Sequence, residues 1–348
     1  MTPARFSRRS LLQLAAIAPA CRPLFGQSTA APGQHSTVAL VKGANRRKNI
    51  ASALEAIDAD IRPVLKTKKY VAIKVNNVSV TNQLAATHAD AIHGILDYLE
   101  PRFKGPVYVV ESSAGDSEIG FENFYYNRVA QERKAQKVGI IDLNREAKYK
   151  VVPMIDYDLH AKGCRMAARL FDPEAYIFSS CMLKTHNTVI ATLNVKNMGL
   201  GAPLHGVNGE RWNDKRVVHN GLRQTQYNIF LGAQAMKPYW GCAVIDGYEG
   251  MEGNGPSSGT PVAHRIAIAS TDYVAADRVG VETMGINAEW MGYLKFCSDF
   301  GIGQFDLAKI DVRGEKIEAV RQKYRLHADL DRELEWMGPM KELPRIVG

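Results

Sequence analysis

The sequence predicts an α/β protein built on a mostly parallel sheet with helices on both faces, together with a long loop or lid and a peripheral C-terminal tail. Two observations indicate this class. Short apolar segments alternate with amphipathic segments of helical period through the first half of the chain, which is the pattern of consecutive βα units. The 348 residues are 46% hydrophobic and 23% charged, a composition typical of a soluble globular protein.

The alternation is regular in the first half of the chain. Residues 49–65 place Ile50, Leu54 and Ile57 at helical spacing, and residues 88–99 do the same with Ile92 and Leu96. The predicted elements here are strands at residues 38–41, 70–75, 106–110 and 138–143, and helices at residues 49–65, 88–99 and 121–136.

The second half is less regular, and its residues 175–183 form an apolar run that predicts a buried strand. Residues 201–219 are rich in Gly, Pro, Asn and charged residues, and a loop of this length inside a compact domain is usually functional or mobile. Asp272 stands where a helix cap is expected. The other predicted elements are strands at residues 148–155, 242–246, 265–269 and 309–313, and helices at residues 188–196, 222–236, 272–284 and 290–297.

The first thirty residues have the layout of an export signal. Arg8 and Arg9 are followed by Leu11 and Leu12, then by a short apolar stretch and small residues. The pattern resembles a twin-arginine signal, which is read as an address by a translocon that moves folded proteins. Leu11 and Gln13 depart from the commonest residues at their positions, and a disordered basic tail is the alternative.

We therefore predict four parts of the chain: a twin-arginine-type signal peptide at residues 1–30, a linker at 31–37, an α/β domain at 38–315 and a C-terminal extension at 316–348. The expected localisation is periplasmic or secreted. The expected partner during export is the twin-arginine translocon.

The charge pattern argues against two classes of partner. The net charge is +8, but four arginines of the first thirty residues have no acidic neighbour there. No run of Lys and Arg is interleaved with aromatic residues, so nucleic acid is not a predicted partner. No apolar stretch has the length of a stable membrane span.

The cysteines after the predicted leader form no CxxC pair, so they carry no local signature of a thiolate metal site. An even number in an oxidising compartment permits disulfides, which leaves their pairing open. The four are Cys164, Cys181, Cys242 and Cys297.

Polar side chains follow several predicted strands at the point where each strand ends. Lys74 and Asn76 follow one strand, Glu111 follows the next, and Lys184 and His186 follow the long apolar strand. Ligands of open parallel sheets bind beyond the carboxyl ends of the strands. These residues therefore predict a cleft at one edge of the sheet.

The strongest signal lies in residues 178–199, which end their apolar run in Lys184 and His186 and close on Lys196 and Asn197. A buried charge is costly unless it meets a partner. The segment therefore predicts a site for an anion, to which Lys74, Asn76, Lys196 and Asn197 contribute binding groups. The alternative is that these groups satisfy one another or lie in water.

His186 is the best candidate for moving a proton, because an unperturbed imidazole titrates near neutral pH. Lys184 is the second catalytic candidate. The alternative for His186 is an orienting hydrogen bond within the turn that follows the strand.

A glycine-rich segment at residues 246–259 carries the second signal. Asp246, Glu249 and Glu252 recur there at intervals of three. Glycine lets backbone N–H groups approach an anion closely, which makes Gly253 a candidate substrate contact. Asp246 and Glu252 are candidate ligands of a divalent metal. The segment matches neither the calcium-loop nor the P-loop pattern, and a flexible turn is the alternative.

Four segments, in this order, resemble the family called domain of unknown function 362 (DUF362): VAIKVNN, CMLKTHNTVIATLNVKNMGLG, VIDGYEGMEGNGPSSGTP and ASTDYVAADRVGVETMGI. The resemblance covers about residues 38–315 and implies the architecture and the site rather than a reaction. Many relatives carry an added cysteine-rich ferredoxin segment, which these 348 residues do not contain, so no iron–sulfur cluster is predicted. The positions that match the family pattern are Lys74, Asn76, Lys184, His186, Lys196, Asn197, Gly199, Asp246, Gly253, Pro256, Asp272, Ala276 and Asp277.

Together these observations predict an exported enzyme that binds a small carboxylate or phosphate and uses lysine and histidine for acid–base chemistry. Assistance by a divalent metal is an open variant of this prediction, and the cofactor is otherwise unknown. The rivals are a non-catalytic protein that captures an anion or cofactor in the periplasm, and a redox accessory protein.

Overall fold

The computed structural model describes residues 35–339. The predicted leader and most of the predicted linker lie outside this range, as do residues 340–348. Strand β1 begins at Ser36, which is inside the predicted linker at 31–37, because Val38 and Leu40 are apolar side chains that the sheet buries completely. Within the described residues, no helix combines the length and apolar character that crossing a bilayer requires.

Strands occur both in the regular first half of the sequence and in its less regular second half. They are β1 (Ser36–Lys42), β2 (Tyr70–Lys74), β3 (Val107–Glu111), β4 (Val138–Asp142), β5 (Tyr149–Ile155), β6 (Ala161–Ala167), β7 (Ala175–His186), β8 (Ile190–Thr192), β9 (Trp240–Glu252), β10 (Thr260–Val262), β11 (Ile266–Ser270) and β12 (Ile310–Gly314).

The α-helices range from single turns to four turns, and short 3₁₀ segments fill several connections. They are α1 (Arg46–Ala56), α2 (Asp58–Leu65), α3 (Ala89–Leu99), α4 (Ser117–Asn123), α5 (Tyr126–Glu132), α6 (Leu143–Glu146), α7 (Asn194–Gly199), α8 (Lys215–Val218), α9 (Leu222–Met236), α10 (Tyr273–Thr283), α11 (Gly292–Asp299), α12 (Ile317–Val320) and α13 (Leu330–Glu333).

The main sheet has the order β12-β1-β11-β9-β7-β2-β3-β4. Strands β9, β7, β2, β3 and β4 are parallel neighbours, whereas β11 runs antiparallel between β9 and β1. The short strands β8 and β10 pair antiparallel with β7 and β9. The predicted α/β class with a mostly parallel sheet is therefore confirmed.

Helices cover both faces of this sheet, as predicted. Along β2, the side chains of Val71 and Ile73 belong to one hydrophobic cluster together with helices α1 to α3. The side chain of Ala72 belongs to the other cluster, which includes residues of α9, α10 and α11. Successive residues of a strand point to opposite faces, so this alternation places Lys74, two residues after Ala72, on the α9 face.

The structure corrects two predicted elements and confirms a third, the strand predicted at 148–155, as β5. Residues 188–196 are not one helix, because β8 pairs with the end of β7 and only the stretch from Asn194 is helical. Thr188, Val189 and Ile190 are β-branched and favour extended pairing over a helix. The strand predicted at 148–155 lies outside the main sheet, where β5 pairs with the unpredicted β6. The glycine-rich segment after Asp246 continues as part of β9 and reaches Glu252 before the chain turns.

Two predicted helices are each divided in the structure. The stretch 49–65 breaks at Ile57, whose backbone leaves the helical region, and 121–136 breaks at Tyr125, which adopts a left-handed conformation. The predicted helix at residues 222–236 coincides with α9, and Asp272 caps α10 by accepting hydrogen bonds from Val274 N and Ala275 N.

Candidate functional site

The carboxyl ends of β7, β2 and β3 meet at one edge of the sheet and open into a cavity of about 290 Å³. Parallel neighbours bring their carboxyl ends together, which is the usual location of ligand sites in such sheets. The cavity is lined by Lys74, Asn76, Asn77, Val78, Glu111, Ser112, Ala114, His186, Asn187, Lys196, Leu200, Gly201, Lys215, His219 and Pro256.

A buried ion pair lies at the floor of this cavity. Lys74 Nζ is 2.6 Å from Glu111 Oε1, and neither side chain is more than 2% exposed. The second carboxylate oxygen of Glu111 accepts a hydrogen bond from Asn77 N, and the first also accepts one from Ser112 N. Two backbone donors and one lysine therefore satisfy the carboxylate, which offsets the cost of its burial.

Two asparagines connect the lysines of β2 and β7. Asn197 Oδ1 accepts hydrogen bonds from Asn76 Nδ2 at 3.0 Å and from Lys74 Nζ at 3.3 Å. Lys184 Nζ donates to Asn76 Oδ1 at 2.5 Å and to the Ala85 carbonyl oxygen at 3.2 Å. Lys184 lies behind Asn76 instead of lining the cavity itself, and its hydrogen bond fixes the orientation of that amide.

Lys196 differs from these neighbours because its ammonium group has no oxygen acceptor among residues 35–339. It projects from α7 into the cavity and is only 4% exposed. Burial and the positive charges of Lys184, Lys215 and Lys74 hold the pKa of Lys196 well below its ordinary value. A cation in this position lacks the counter-charge that burial normally requires.

The backbone of α7 is fixed at its first turn by a buried carboxylate. Asp277 of α10 accepts hydrogen bonds from Asn194 N and Val195 N, both at 2.8 Å. These N–H groups have no partner inside the helix, so Asp277 sets the position from which Lys196 and Asn197 extend. This capping role explains Asp277 without a contact to the cavity.

Lys215 is a site residue that the sequence analysis did not identify. Its Nζ donates to Pro203 O at 2.7 Å and to Gly201 O at 3.3 Å, and it reaches Ser112 Oγ at 3.4 Å. Burial lowers the pKa of Lys215 to about 7, and burial lowers the pKa of Lys184 to about 7 as well. Both amines therefore titrate in the physiological range.

His186 faces the cavity in a defined orientation. Its Nδ1 accepts a hydrogen bond from Thr188 N at 3.1 Å, so in the neutral ring the proton resides on Nε2. The ring stacks on His219 with centroids 5.6 Å apart and an interplanar angle of 27°. Burial is the main cause that lowers the pKa of His186 well below its ordinary value, and the charge of Lys196 is the second. The imidazole is therefore neutral and presents an N–H donor.

The glycine-rich segment contributes packing more than ligand contacts. A Cβ atom at Gly250 would lie 2.2 Å from the Tyr324 hydroxyl oxygen, and Gly253 adopts a φ of +74° that disfavours other residues. Gly253 does not line the cavity, and its carbonyl oxygen accepts a hydrogen bond from Thr185 Oγ1 at 2.7 Å. Pro256 is the one residue of this segment in the cavity wall.

The two predicted metal ligands lie outside the cavity and have protein partners. Asp246 is buried with an oxygen 3.0 Å from Arg46 Nε, and Glu252 accepts a hydrogen bond from Arg325 N. Within the described part of the chain, no group of three or more His, Cys, Asp or Glu side chains is arranged to hold a metal ion. Asp246 therefore has Arg46 as a cationic partner. Metal binding by Asp246 and Glu252 stays a prediction.

The structure therefore brings six predicted residues together and leaves three elsewhere. Those at the cavity or in its hydrogen-bond network are Lys74, Asn76, Lys184, His186, Lys196 and Asn197. Gly253, Asp246 and Glu252 lie outside its lining. His219 and Lys215 were missed because both fall in the polar stretch 201–219, whose composition does not distinguish a solvated loop from a cavity wall.

The four cysteines of the described part are free and buried. Burial raises the pKa of the Cys164 thiol to about 12, which keeps it protonated and unreactive.

Comparisons with known proteins give a match to one family of sequences. The family model described as Domain of unknown function (DUF362) matches residues 71–282. No curated protein matches the chain. Among solved structures, it is similar to a crystal structure of a Thermotoga maritima protein from the Northeast Structural Genomics Consortium, with 12% identity and a TM-score of 0.40. That likeness covers 59% of this chain and 51% of the other, so the chain spans about half of that protein's length. Because the family model covers more than half of the 348 residues, the protein belongs to the DUF362 family.

Proposed function

We propose that this DUF362 protein is an enzyme that binds a small carboxylate or phosphate in the cavity at the ends of β7, β2 and β3. One observation carries the proposal. Lys74, Lys196 and Lys215 line the cavity, and Glu111 supplies the one carboxylate among its lining residues. A fourth lysine, Lys184, lies behind Asn76 in the cavity wall. Lysines in a buried cluster repel one another, and a bound anion supplies the charge that the cluster lacks.

The volume of the cavity limits the ligand. About 290 Å³ is at the small end of the range for ligand pockets. It suits a compact anion better than a nucleotide. The polar groups in the wall, amines and amides, are donors to carboxylate or phosphate oxygens.

The same groups support acid–base chemistry. A lysine amine with a pKa near 7 exchanges a proton readily at physiological pH, which describes Lys215 at the cavity wall and Lys184 behind Asn76. His186 is the predicted proton mover; it lines the cavity, and its neutral ring carries the proton on Nε2. We therefore assign His186 the role of hydrogen-bond donor to a substrate oxygen, and the exchange of protons to the amines.

The proposal is tested by the pH dependence of oxalate binding. Oxalate stays a dianion between about pH 6 and about pH 8.5, so changes in affinity report on the protein. Lys184 and Lys215 are mostly charged at about pH 6 and mostly neutral at about pH 8.5, because the pKa of each lies near 7. Calorimetry is expected to show affinity falling roughly tenfold or more over this interval, with proton uptake on binding at the higher pH.

Two variants sharpen this measurement. Lys215→Met is expected to flatten the pH dependence, and His186→Asn is expected to retain oxalate binding because an amide also donates a hydrogen bond. An affinity for oxalate that does not change with pH, or an absence of binding at about pH 6, contradicts the anion site. Once a substrate is found, loss of its turnover in His186→Asn with binding retained supports the enzyme, whereas a wild-type protein that binds it and leaves it chemically unchanged supports the non-catalytic binding protein.

We further propose that the protein is exported by the twin-arginine pathway. The support is the arrangement of Arg8, Arg9 and the apolar stretch after them. Replacing both arginines by lysine is expected to leave most of the protein in the cytoplasm as an unprocessed precursor, because the receptor reads the arginine pair and not the charge alone. Cell fractionation with mass measurement of the mature protein checks this, and equal export of both forms contradicts it.

A further inference from the structure

We propose that Lys196 forms an imine with the carbonyl carbon of an anionic substrate, so that the ligands of this site are small oxo acids or oxo phosphates. This inference rests on the proposed function, because the anionic group of the substrate must first be held by the other lysines of the cavity.

The contacts of the four lysines separate one amine from the rest. Lys74, Lys184 and Lys215 each donate to fixed oxygen atoms of the protein, at distances of 2.7 Å or less to at least one acceptor. Lys196 Nζ has no such acceptor within residues 35–339, although it lines the cavity and is only 4% exposed. An amine that makes no hydrogen bond to the protein is free to approach a ligand atom.

The surroundings of Lys196 favour the neutral, nucleophilic amine. Its pKa lies well below the ordinary value because of burial and three neighbouring lysines. An ordinary lysine is neutral in only about 0.04% of molecules at pH 7. A lysine desolvated beside other cations is activated for attack on carbonyl carbons in this way. Among residues 35–339, no carboxylate forms an ion pair with Lys196 that would favour its charged form.

The other groups of the cavity fit the remaining parts of an oxo acid. The carboxylate or phosphate matches Lys74 and Lys215, which are held in place at the cavity wall. The carbonyl oxygen matches the Nε2–H of His186, a neutral donor in the same wall. A donor at this oxygen makes the carbonyl carbon more electrophilic.

The proposed step is a condensation. The neutral Nζ of Lys196 adds to the carbonyl carbon, and a bond forms while the carbonyl oxygen takes up a proton. That proton replaces the first of the two hydrogens that the amine loses. The oxygen takes up the second and leaves as water, and a carbon–nitrogen double bond replaces the carbon–oxygen double bond. A hydride reagent reduces this imine to a stable secondary amine that keeps the carbon skeleton of the ligand.

The test uses glyoxylate and pyruvate as probes, each incubated with the full chain and cyanoborohydride at about pH 7, where ordinary lysines are protonated. Intact mass followed by peptide mapping is expected to place the adduct on Lys196 at least tenfold above any other lysine. Oxalate, which fits the anion site but lacks a reactive carbonyl, is expected to suppress the adduct. Lys196→Arg keeps a long basic side chain but has no nucleophilic amine, so it is expected to lose the adduct. Lys48→Arg, at an exposed helix position, is expected to keep the adduct.

The outcomes separate the two proposals. If oxalate binds but no adduct forms on Lys196, the imine is ruled out while the anion site remains. If oxalate does not bind and adducts spread over exposed lysines, both proposals are overturned. Circular dichroism of Lys196→Arg confirms that it is folded. If that protein is unfolded, the mapping of the wild-type adduct, with and without oxalate, decides the question alone.

Discussion

Replacing Glu111 by glutamine is expected to lower the free energy of unfolding by about 3–5 kcal/mol, as found when one partner of a buried ion pair is removed. The glutamine keeps the size of the side chain but not its charge. Lys74 would remain buried beside other lysines with no opposite charge. The amide NH₂ would also face Asn77 N or Ser112 N, each of which donates to the carboxylate at 2.8 Å.

Chemical denaturation of wild type and Glu111→Gln measures this effect, with Glu318→Gln as the matched control. Glu318 is exposed on α12, and its replacement is expected to change stability by less than about 0.5 kcal/mol. The double variant with Lys74→Met should recover part of the loss, because it removes the stranded cation. Equal stability of wild type and Glu111→Gln, or strict additivity in the double variant, contradicts a coupled pair.

Much of the fold follows from local sequence patterns. The first half alternates apolar runs with apolar residues at helical spacing, because its strands are buried on both faces and its helices on one. This pattern predicts β2, β3 and α3 and their order. Breaks inside a helical pattern are harder to predict. Tyr125 in a left-handed conformation and the bend at Ile57 depend on the packing of whole helices, which no local period records.

The candidate site could be predicted in part for the same reason. Lys74, Lys184 and His186 stand next to apolar strands, and a charge in such a position is conspicuous because its burial is unfavourable. Lys215 stands in a polar loop beside Arg216, where a charge looks solvated. It joins the site only because the loop folds back over Ser112 and Gly201.

The predictions for Asp246 and Glu252 illustrate the opposite difficulty. Their spacing in a glycine-rich stretch suggests a ligand loop, but the stretch continues β9 and pairs with β10. The charge of Asp246 is matched by Arg46, some two hundred residues away in the sequence. Sequence spacing alone does not reveal a long-range partner of this kind.

Lys196→Met is expected to raise the stability of the free protein by about 1–3 kcal/mol while weakening oxalate binding at least tenfold, or about 1.4 kcal/mol. Methionine fills a similar volume without an amine, so the substitution removes a buried group that has no counter-charge in the described part of the chain. A substitution that stabilises the fold while damaging a site is typical of a residue kept for function at a cost in stability. The combination indicates that the sequence retains the residue for ligand chemistry and not for packing.

The pH dependence of the stability gained in Lys196→Met tests whether it comes from removing a buried amine with a lowered pKa. In the unfolded chain Lys196 has its ordinary pKa and binds a proton at pH 7, whereas in the folded chain burial and the neighbouring lysines lower its pKa and favour the neutral amine. The unfolded state then binds more protons, so the cost of Lys196 to stability decreases as pH rises toward about 10. The advantage of Lys196→Met should shrink over the same range, and Lys48→Met should show neither effect. A Lys196→Met protein that is less stable than wild type at pH 7, and binds oxalate equally well, would mean that this amine has a structural role and that the anion is held without it.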